Sequence, residues 1–317
     1  MKVSVLKHIL DAIPIVLLVS FSSSAQAQNN ISGKDKTYAS CCLKDFDLAG
    51  SVKKMKILSY DYENGEKASI PKSDCTYNFD VSGNCISAYL NDYTFSYPTH
   101  QKIEYSYDAS GNVLTEVYTE DGEFLGKKRY QYDPFTEIIY DKANCVEETI
   151  SWDRKGSYSN SGFNGTLTEN HTDSKGNVVS KIVNYYKDGL VIKEEDYSEN
   201  SISHTTVYTY DTNGNMLLSK TSDTSGQVTQ KEVNTYNEGA LASTELYILF
   251  STLDIAKAYR YDTKGREIYY CCYMVLPDYL IQNITYEDDS HGNWKKQWIR
   301  DRNNQIVEIV EREIEYY

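Results

Sequence analysis

The chain has 317 residues, of which 46 are acidic and 32 are basic, giving a formal net charge of −14. A surface this acidic repels phosphate groups, so nucleic acids and anionic membranes are excluded as expected partners. Tyrosine is the unusual component, with 30 residues against 8 phenylalanines and 3 tryptophans. Tyrosine favours β-strands that are half-buried, with the ring packed and the hydroxyl in water.

Residues 1–27 have the features of a secretory signal peptide. Lys2 and Lys7 make a basic start, Ile13 to Phe21 is mostly apolar, and Ala25-Gln26-Ala27 fits a small-x-small cleavage site. The apolar run is too short for a transmembrane anchor. The sequence therefore predicts an exported protein, located in the periplasm, at the cell surface or outside the cell, with no membrane span in the mature chain.

Residues 28–50 are predicted to form a leader or an N-terminal cap, and residues 51–317 a single β domain. The recurring unit of this domain is clearest at 208–215, Tyr-Thr-Tyr-Asp-Thr-Asn-Gly-Asn. Tyr208 and Tyr210 are two residues apart and so share one face of a strand. Asp211 and Gly214 fit the first and fourth positions of a type I turn.

Close copies of the unit recur at intervals that suit a hairpin. From Tyr77 to Tyr105 is 28 residues, enough for two strands and two turns. The close copies are Tyr77–Asn84, Tyr105–Asn112, Tyr208–Asn215 and Tyr259–Arg266. The turn residues predicted from them are Asp80, Gly83, Asp108, Gly111, Asp211, Gly214, Asp262 and Gly265. The expected fold is all-β: an elongated or partly rolled antiparallel sheet of repeated hairpins.

These copies resemble the YD repeat of the bacterial Rhs proteins and of related wall-associated and teneurin proteins. In the large relatives, many such repeats spiral into a hollow all-β shell. The resemblance implies an exported protein with a β-solenoid-like fold, and the length of the chain predicts a short, stand-alone member without a toxin domain. It further implies a non-catalytic scaffold that binds carbohydrate or a cell-surface partner. The chain departs from the family in having no Asp-Pro-x-Gly-Arg signature.

Two kinds of segment interrupt the repeat. Residues 156–166 are rich in Gly, Ser and Asn, which predicts a possible joint between two halves of the domain. The runs 246–250 and 269–276 are apolar without alternation, as in strands buried on both faces. They predict that the C-terminal half has the thicker core.

Seven cysteines are present, and their role stays open at this stage. They are Cys41, Cys42, Cys75, Cys85, Cys145, Cys271 and Cys272. In an oxidising compartment they permit up to three disulfides, whereas small buried thiols are the alternative. The adjacent pairs lack the intervening residues that a zinc knuckle needs.

No catalytic or metal-binding motif is present in the sequence. The turn aspartates offer one carboxylate each, whereas calcium loops concentrate several oxygens within one turn. Capping of the turn by the aspartate is the favoured interpretation. The sequence therefore predicts a protein that is not an enzyme and has no metal and no cofactor.

The aromatic residues are the candidates for binding. The strand tyrosines could stack on sugars or could pack on one another as a core: Tyr208, Tyr210, Tyr259 and Tyr261. Trp294 and Trp298, four residues apart, are predicted to share a face and to contact a ligand or protect an edge. The leading hypothesis is a scaffold for a glycan or a cell-surface protein. A structural protein that pairs with itself through exposed edge strands is the alternative, and a polysaccharide-active enzyme is less favoured.

Overall fold

The computed structural model describes residues 42–46, 48–94, 99–132, 135–249, 253–273 and 280–317. The predicted signal peptide lies outside these residues, as do residues 28–41 of the predicted leader. The described chain begins with a short 3-10 helix, Leu43–Phe46, and continues as β-strands joined by short turns. In these ranges no helix is long and apolar enough to cross a membrane.

Within the described ranges, twenty-one strands follow one another in chain order. They are β1 Val52–Glu63, β2 Glu66–Lys67, β3 Ser73–Phe79, β4 Cys85–Asp92, β5 Thr99–Tyr107, β6 Val113–Glu120, β7 Glu123–Tyr132, β8 Phe135–Tyr140, β9 Val146–Ser159, β10 Gly162–Asp173 and β11 Val178–Lys187. The remaining strands are β12 Leu190–Ser198, β13 Ser201–Tyr210, β14 Met216–Asp223, β15 Val228–Asn237, β16 Ala240–Leu249, β17 Leu253–Tyr261, β18 Glu267–Cys272, β19 Leu280–Asp288, β20 Trp294–Arg300 and β21 Ile306–Tyr316.

The strands form a closed antiparallel barrel of 20 strands. Each strand from β3 onward pairs with the next, and β1 pairs with both β3 and β21. The pairing of β1 with β21 runs from Val52↔Tyr316 to Asp61↔Glu308. The two-residue β2 pairs with the end of β1.

The prediction of an elongated or partly rolled sheet with a β-solenoid-like shape is therefore wrong. The prediction of an all-β fold with antiparallel hairpins is confirmed. The sheet is closed, however, because its first and last strands pair with each other. Closure satisfies the backbone groups that both end strands would otherwise expose. Self-association through exposed edge strands loses its physical basis, because every strand of the 20-membered ring has a neighbour on each side.

The turns at Asp-x-x-Gly sequences share one geometry. The Asp211 backbone N–H donates to the Asn215 carbonyl at 2.9 Å, and the Gly214 N–H donates to the Asp211 carbonyl at 3.2 Å. The Asp211 carboxylate accepts the N–H groups of Asn213 and Asn215 at 2.8 Å each. Gly214 has a φ of +84°, a backbone conformation that glycine adopts without steric cost. Asp80, Asp108 and Asp262 lie at equivalent turns with Gly83, Gly111 and Gly265.

A β-bulge follows most turns, and the extra residue always lies on the strand that leaves the turn. In the β13–β14 pair, Thr209 faces Leu218 and Tyr210 faces Met216, so Leu217 is the extra residue. Equivalent extra residues are Ile86, Leu114, Val179, Ile192, Ile268, Lys295 and Val307. A bulge bends its strand and increases the local twist. The repeated bulges give the sheet the curvature that closure requires.

One group of buried apolar side chains fills the barrel where the two ends of the chain meet. Residues 42–46 and 48–50, here called the plug segment, enter this end, and Phe46 packs in a cluster with Met55, Ile57 and Val310. The plug segment is fixed by hydrogen bonds between Ala49 and Asn293, at 2.7 and 2.9 Å. The prediction that the C-terminal half has the thicker core is wrong, because the buried cluster is formed by residues from both ends of the chain together with Phe46 of the plug segment.

Residues 156–159 and 162–166 belong to the long hairpin of β9 and β10, with a two-residue turn between the strands. A role of this hairpin as a joint stays a prediction. Five of the described cysteines are free thiols: Cys75, Cys85, Cys145, Cys271 and Cys272. Cys41 lies outside the described residues.

Candidate binding site on the inner wall

The inner face of the barrel can be followed from strand to strand, because Cα partners on adjacent strands point to the same side. Ile57 belongs to the core cluster, and its partners Arg312 and Cys75 are also buried. Continuing around the ring places Tyr208 opposite Ser219, Ser219 opposite Glu232, and Tyr259 opposite Tyr270 on this face. Val207, which alternates with Tyr208 and faces outward, is 48% exposed.

A set of tyrosines and glutamates lines the inner face on β12 to β18, on strands that do not contribute to the core cluster. We call it the tyrosine–carboxylate wall, and it comprises Tyr208, Tyr259, Tyr261, Glu194, Glu232 and Glu267. All six residues are half-buried. These six side chains are therefore within reach of solvent, unlike those under the plug segment.

The carboxylates of the wall are partly removed from water. Burial raises the pKa of Glu194, and the negative charges of Asp196 and Glu169 add to the increase. Burial also raises the pKa of Glu232, while a hydrogen bond from Asn234 opposes it. A carboxylate that lacks full solvation favours ligands that donate hydrogen bonds or carry positive charge.

Glu267 differs most from an ordinary carboxylate, because burial alone raises its pKa to about 7. It is the inward residue directly before the bulge residue Ile268. The matching inward positions after other Asp-x-x-Gly turns are apolar: Cys85, Val113, Met216 and Trp294. A carboxylate where the fold otherwise places an apolar side chain is a candidate for function rather than for packing.

The last tyrosine before a turn commonly has a structural role. Its hydroxyl donates a hydrogen bond to a backbone carbonyl in the first two residues of the preceding strand. Tyr210 donates to Val191 at 2.6 Å, Tyr286 to Glu267 at 2.7 Å and Tyr236 to Met216 at 3.1 Å. Tyr107 and Tyr132 make the same contact with Cys85 and Val113. These tyrosines tie each hairpin to the preceding one.

Three of the four predicted binding tyrosines belong to the tyrosine–carboxylate wall, and Tyr210 faces the same side of the sheet. Tyr208 is half-buried and hydrogen-bonds to Glu194. The Tyr259 ring lies 5.2 Å from the Tyr270 ring, centroid to centroid. Tyr261 faces Glu267 across the strand pair, whereas the Tyr210 hydroxyl donates its hydrogen bond to the Val191 carbonyl.

The two predicted binding tryptophans do not share a face. Lys295 is an extra residue at a bulge, so the alternation between Trp294 and Trp298 is shifted by one position. Trp294 faces inward, where the Arg312 guanidinium lies 3.6 Å from its ring centroid. Trp298 faces outward beside Lys296. The predicted common contact surface of Trp294 and Trp298 is therefore wrong.

A second polar cluster surrounds His171 on the inner face of β9 and β10. His171 Nδ1 lies 2.7 Å from Glu148 and Nε2 lies 2.7 Å from Glu169. Trp152 donates its indole N–H to the second oxygen of Glu169 at 3.0 Å. These hydrogen bonds raise the pKa of His171 to about 9, so the imidazole is positively charged at neutral pH.

Sequence reasoning missed the wall glutamates and the His171 cluster. Adjacent acidic residues such as Glu194 and Glu195 arise by composition in an acidic chain, so they gave no signal. Glu267 did give a signal in the sequence. When the turns are aligned on their aspartates, Glu267 occupies the position that Met216 has after the unit at 208–215. In the described ranges, no group of three or more His, Cys, Asp or Glu side chains could hold a metal ion.

The fold and the wall define a closed antiparallel β-barrel with an inner surface of tyrosines and partly desolvated carboxylates. No protein-family model matches the chain, and no curated protein matches it. Among solved structures it is similar to a porin-like protein from Bacteroides uniformis, with 9% identity, coverage of 84% of this chain and 98% of that one, and a TM-score of 0.34. A porin-like protein from Bacteroides vulgatus gives 11% identity, 84% and 99% coverage, and a TM-score of 0.24.

A structure described as TcdB2-TccC3-TEV is similar over 76% of this chain at 13% identity and a TM-score of 0.27, and the match spans 16% of that chain. Similarities at these scores carry no argument about function. Assignment of the chain to the YD-repeat family is overturned, because the hairpins close into a ring instead of extending as a repeat array.

Proposed function

We propose that this is an exported, non-catalytic β-barrel protein that binds carbohydrate on its tyrosine–carboxylate wall. The observation that carries the proposal is the pairing of half-exposed tyrosine rings with carboxylate acceptors on one inward surface. Sugars present apolar ring faces that stack on aromatic side chains and hydroxyls that donate to carboxylates. Tyr208 beside Glu194 and Tyr261 beside Glu267 offer both kinds of contact.

The outer face supports a barrel that stands in water. Lys193 and Glu195 form an ion pair at 2.5 Å in the middle of β12, and Lys102 and Glu104 form another at 2.7 Å in the middle of β5. A membrane barrel instead presents an apolar band about 25 Å tall to lipid, and a lysine at its midplane costs about 2–4 kcal/mol. Export would follow from the predicted signal peptide at residues 1–27.

The wall also supports a binding role over catalysis. Glycoside hydrolysis needs two carboxyls that face each other across the scissile bond, one of them a general acid. Glu194 and Glu232 lie on strands β12 and β15 of the same wall, so both point in the same direction from one surface. This arrangement suits the recognition of a ligand laid along the wall.

A glycan array tests the proposal, using the full chain and two variants of β13. Tyr208→Ala removes a ring from the wall, and Val207→Ala, its outward-facing neighbour, is the matched control. We expect glycan binding by the wild type and by V207A, and loss of at least about tenfold in affinity in Y208A. Absence of any bound glycan, or equal loss in both variants, would contradict the proposal.

A further inference from the structure

Glu267 stands among aromatic rings at the rim formed by the turns 211–215 and 262–266. Glu267 pairs with Tyr261 across β17 and β18. The Tyr286 hydroxyl donates a hydrogen bond to the backbone carbonyl of Glu267 at 2.7 Å. The rings of Tyr259 and Tyr270, 5.2 Å apart, belong to the same strand pair. The charge of Glu267 acts on all four phenols. A carboxylate is thus bordered by four aromatic side chains.

The Glu267 carboxylate makes no hydrogen bond and no ion pair within the described parts of the chain. The cation beside it in sequence, Arg266, is engaged elsewhere, because its guanidinium binds Asp262 at 2.7 Å and Asp288 at 2.6 Å. That guanidinium lies 4.5 Å from the centroid of the Tyr286 ring. The Tyr286 ring therefore already accepts one cation on a face, while the Glu267 carboxylate has none.

The chemistry of this position selects one class of ligand. Aromatic faces attract cations through the ring quadrupole, and recognition of quaternary ammonium groups by several rings is the best-known use of this attraction. Calcium and magnesium require six or more oxygen ligands, which a single carboxylate among rings does not supply. An organic ammonium group needs only one negatively charged partner and an apolar or aromatic environment.

We propose that Glu267, with Tyr259, Tyr261, Tyr270 and Tyr286, forms a binding site for a small organic ammonium group. The proposal goes beyond carbohydrate binding and does not depend on it. Glu267 supplies the counter-charge, and the four rings surround the alkyl groups of the cation. The site opens at the rim, where a half-buried side chain can meet a ligand from solution.

The test is a calorimetric titration of the full chain with choline at pH 8, where Glu267 is ionised. The neutral isostere 3,3-dimethylbutan-1-ol is titrated in parallel. Glu267→Gln removes the charge, and Glu287→Gln, which changes an exposed, outward-facing carboxyl of β19, is the matched control. Because burial disfavours the Glu267 carboxylate, E267Q is expected to fold at least as stably as the wild type, which thermal unfolding checks.

We expect choline to bind the wild type and E287Q with affinities within about twofold of each other. E267Q should weaken choline binding at least about tenfold, equivalent to about 1.4 kcal/mol. The alcohol should bind all three proteins weakly and equally. Equal affinities of choline and the alcohol for the wild type would overturn the proposal, as would unchanged choline binding in a folded E267Q. Loss of glycan binding in Y208A has no bearing on either result.

Discussion

Glu194 and Glu195 are neighbours in the chain, and the structure shifts their pKa values in opposite directions. Glu194 faces the inside of the barrel, where burial raises its pKa. Glu195 faces outward, where Lys193 and the hydroxyls of Tyr185 and Tyr197 lower its pKa to about 2. Alternation along a strand decides which environment each carboxyl meets. The inner wall therefore concentrates the carboxyls that are costly to ionise.

Glu267 gives a first prediction about pH. Its pKa of about 7 in the folded protein lies above the unfolded value of 4.5, so the folded state holds a proton that the unfolded state releases. The free energy of unfolding should fall as pH rises from 4.5 to 7, by up to about 3 kcal/mol from this group. E267Q should lack this decline. Thermal unfolding of both proteins between pH 4 and pH 8 measures it, and parallel curves would contradict the assigned burial.

His171 gives a second prediction, with its own window. Its pKa is raised from 6.5 to about 9 by Glu148 and Glu169, so its contribution to stability is complete below pH 6.5 and is lost as pH rises through 9. The loss should reach up to about 3 kcal/mol. His171→Gln should be less stable than the wild type at pH 6 and should approach it at pH 10. A constant difference across this range would show that the His171 charge does not contribute.

At the level of the strand pair, the tyrosine hydroxyls and the bulges determine how hairpins join. Each Tyr-to-carbonyl hydrogen bond links a strand to the one before it, as Tyr210 does to Val191 at 2.6 Å. The bulge then turns the next strand inward. Because both devices recur around the ring, each hairpin adds a similar increment of curvature.

Removal of one such hydroxyl yields a third prediction. Tyr210→Phe keeps the ring but leaves the Val191 carbonyl without its donor, which should lower the free energy of unfolding by about 1 kcal/mol. Tyr140→Phe is the control, because the Tyr140 ring faces outward under Lys127 and should be insensitive to loss of its hydroxyl. Urea unfolding of the two variants compares them. Equal stability of Y210F and Y140F would contradict the role given to the hydroxyl.

The hairpins could be predicted from the sequence because their determinants are local. The Asp211 carboxylate and the Asn215 N–H that it accepts are four residues apart. The opposite faces of Trp294 and Trp298 could not be predicted, since the bulge at Lys295 changes the alternation by one residue without changing the composition. Glu267 could be singled out only after the turns were aligned, because it belongs to no motif and is unusual only in replacing an apolar residue.

At the scale of the whole molecule, closure is a long-range property. It depends on contacts between residues far apart in sequence, such as Ser59 with Glu308 at 2.6 Å, that no local pattern encodes. An open strip and a closed ring of the same hairpins have the same turns and the same alternation. The ring is favoured here by the curvature of many bulges and by the plug segment, whose Phe46 joins apolar side chains of the first and last strands.

The most direct test of the closed barrel is zero-length cross-linking of the wild-type chain with a water-soluble carbodiimide. Lys53 on β1 and Glu315 on β21 are 2.6 Å apart, and Lys296 and Glu311, on the neighbouring strands β20 and β21, are 3.0 Å apart. Mass spectrometry of the digested monomer should find both isopeptide links. Formation of the Lys296–Glu311 link without the Lys53–Glu315 link would show that the first and last strands do not meet, and the barrel with its inner wall would be wrong.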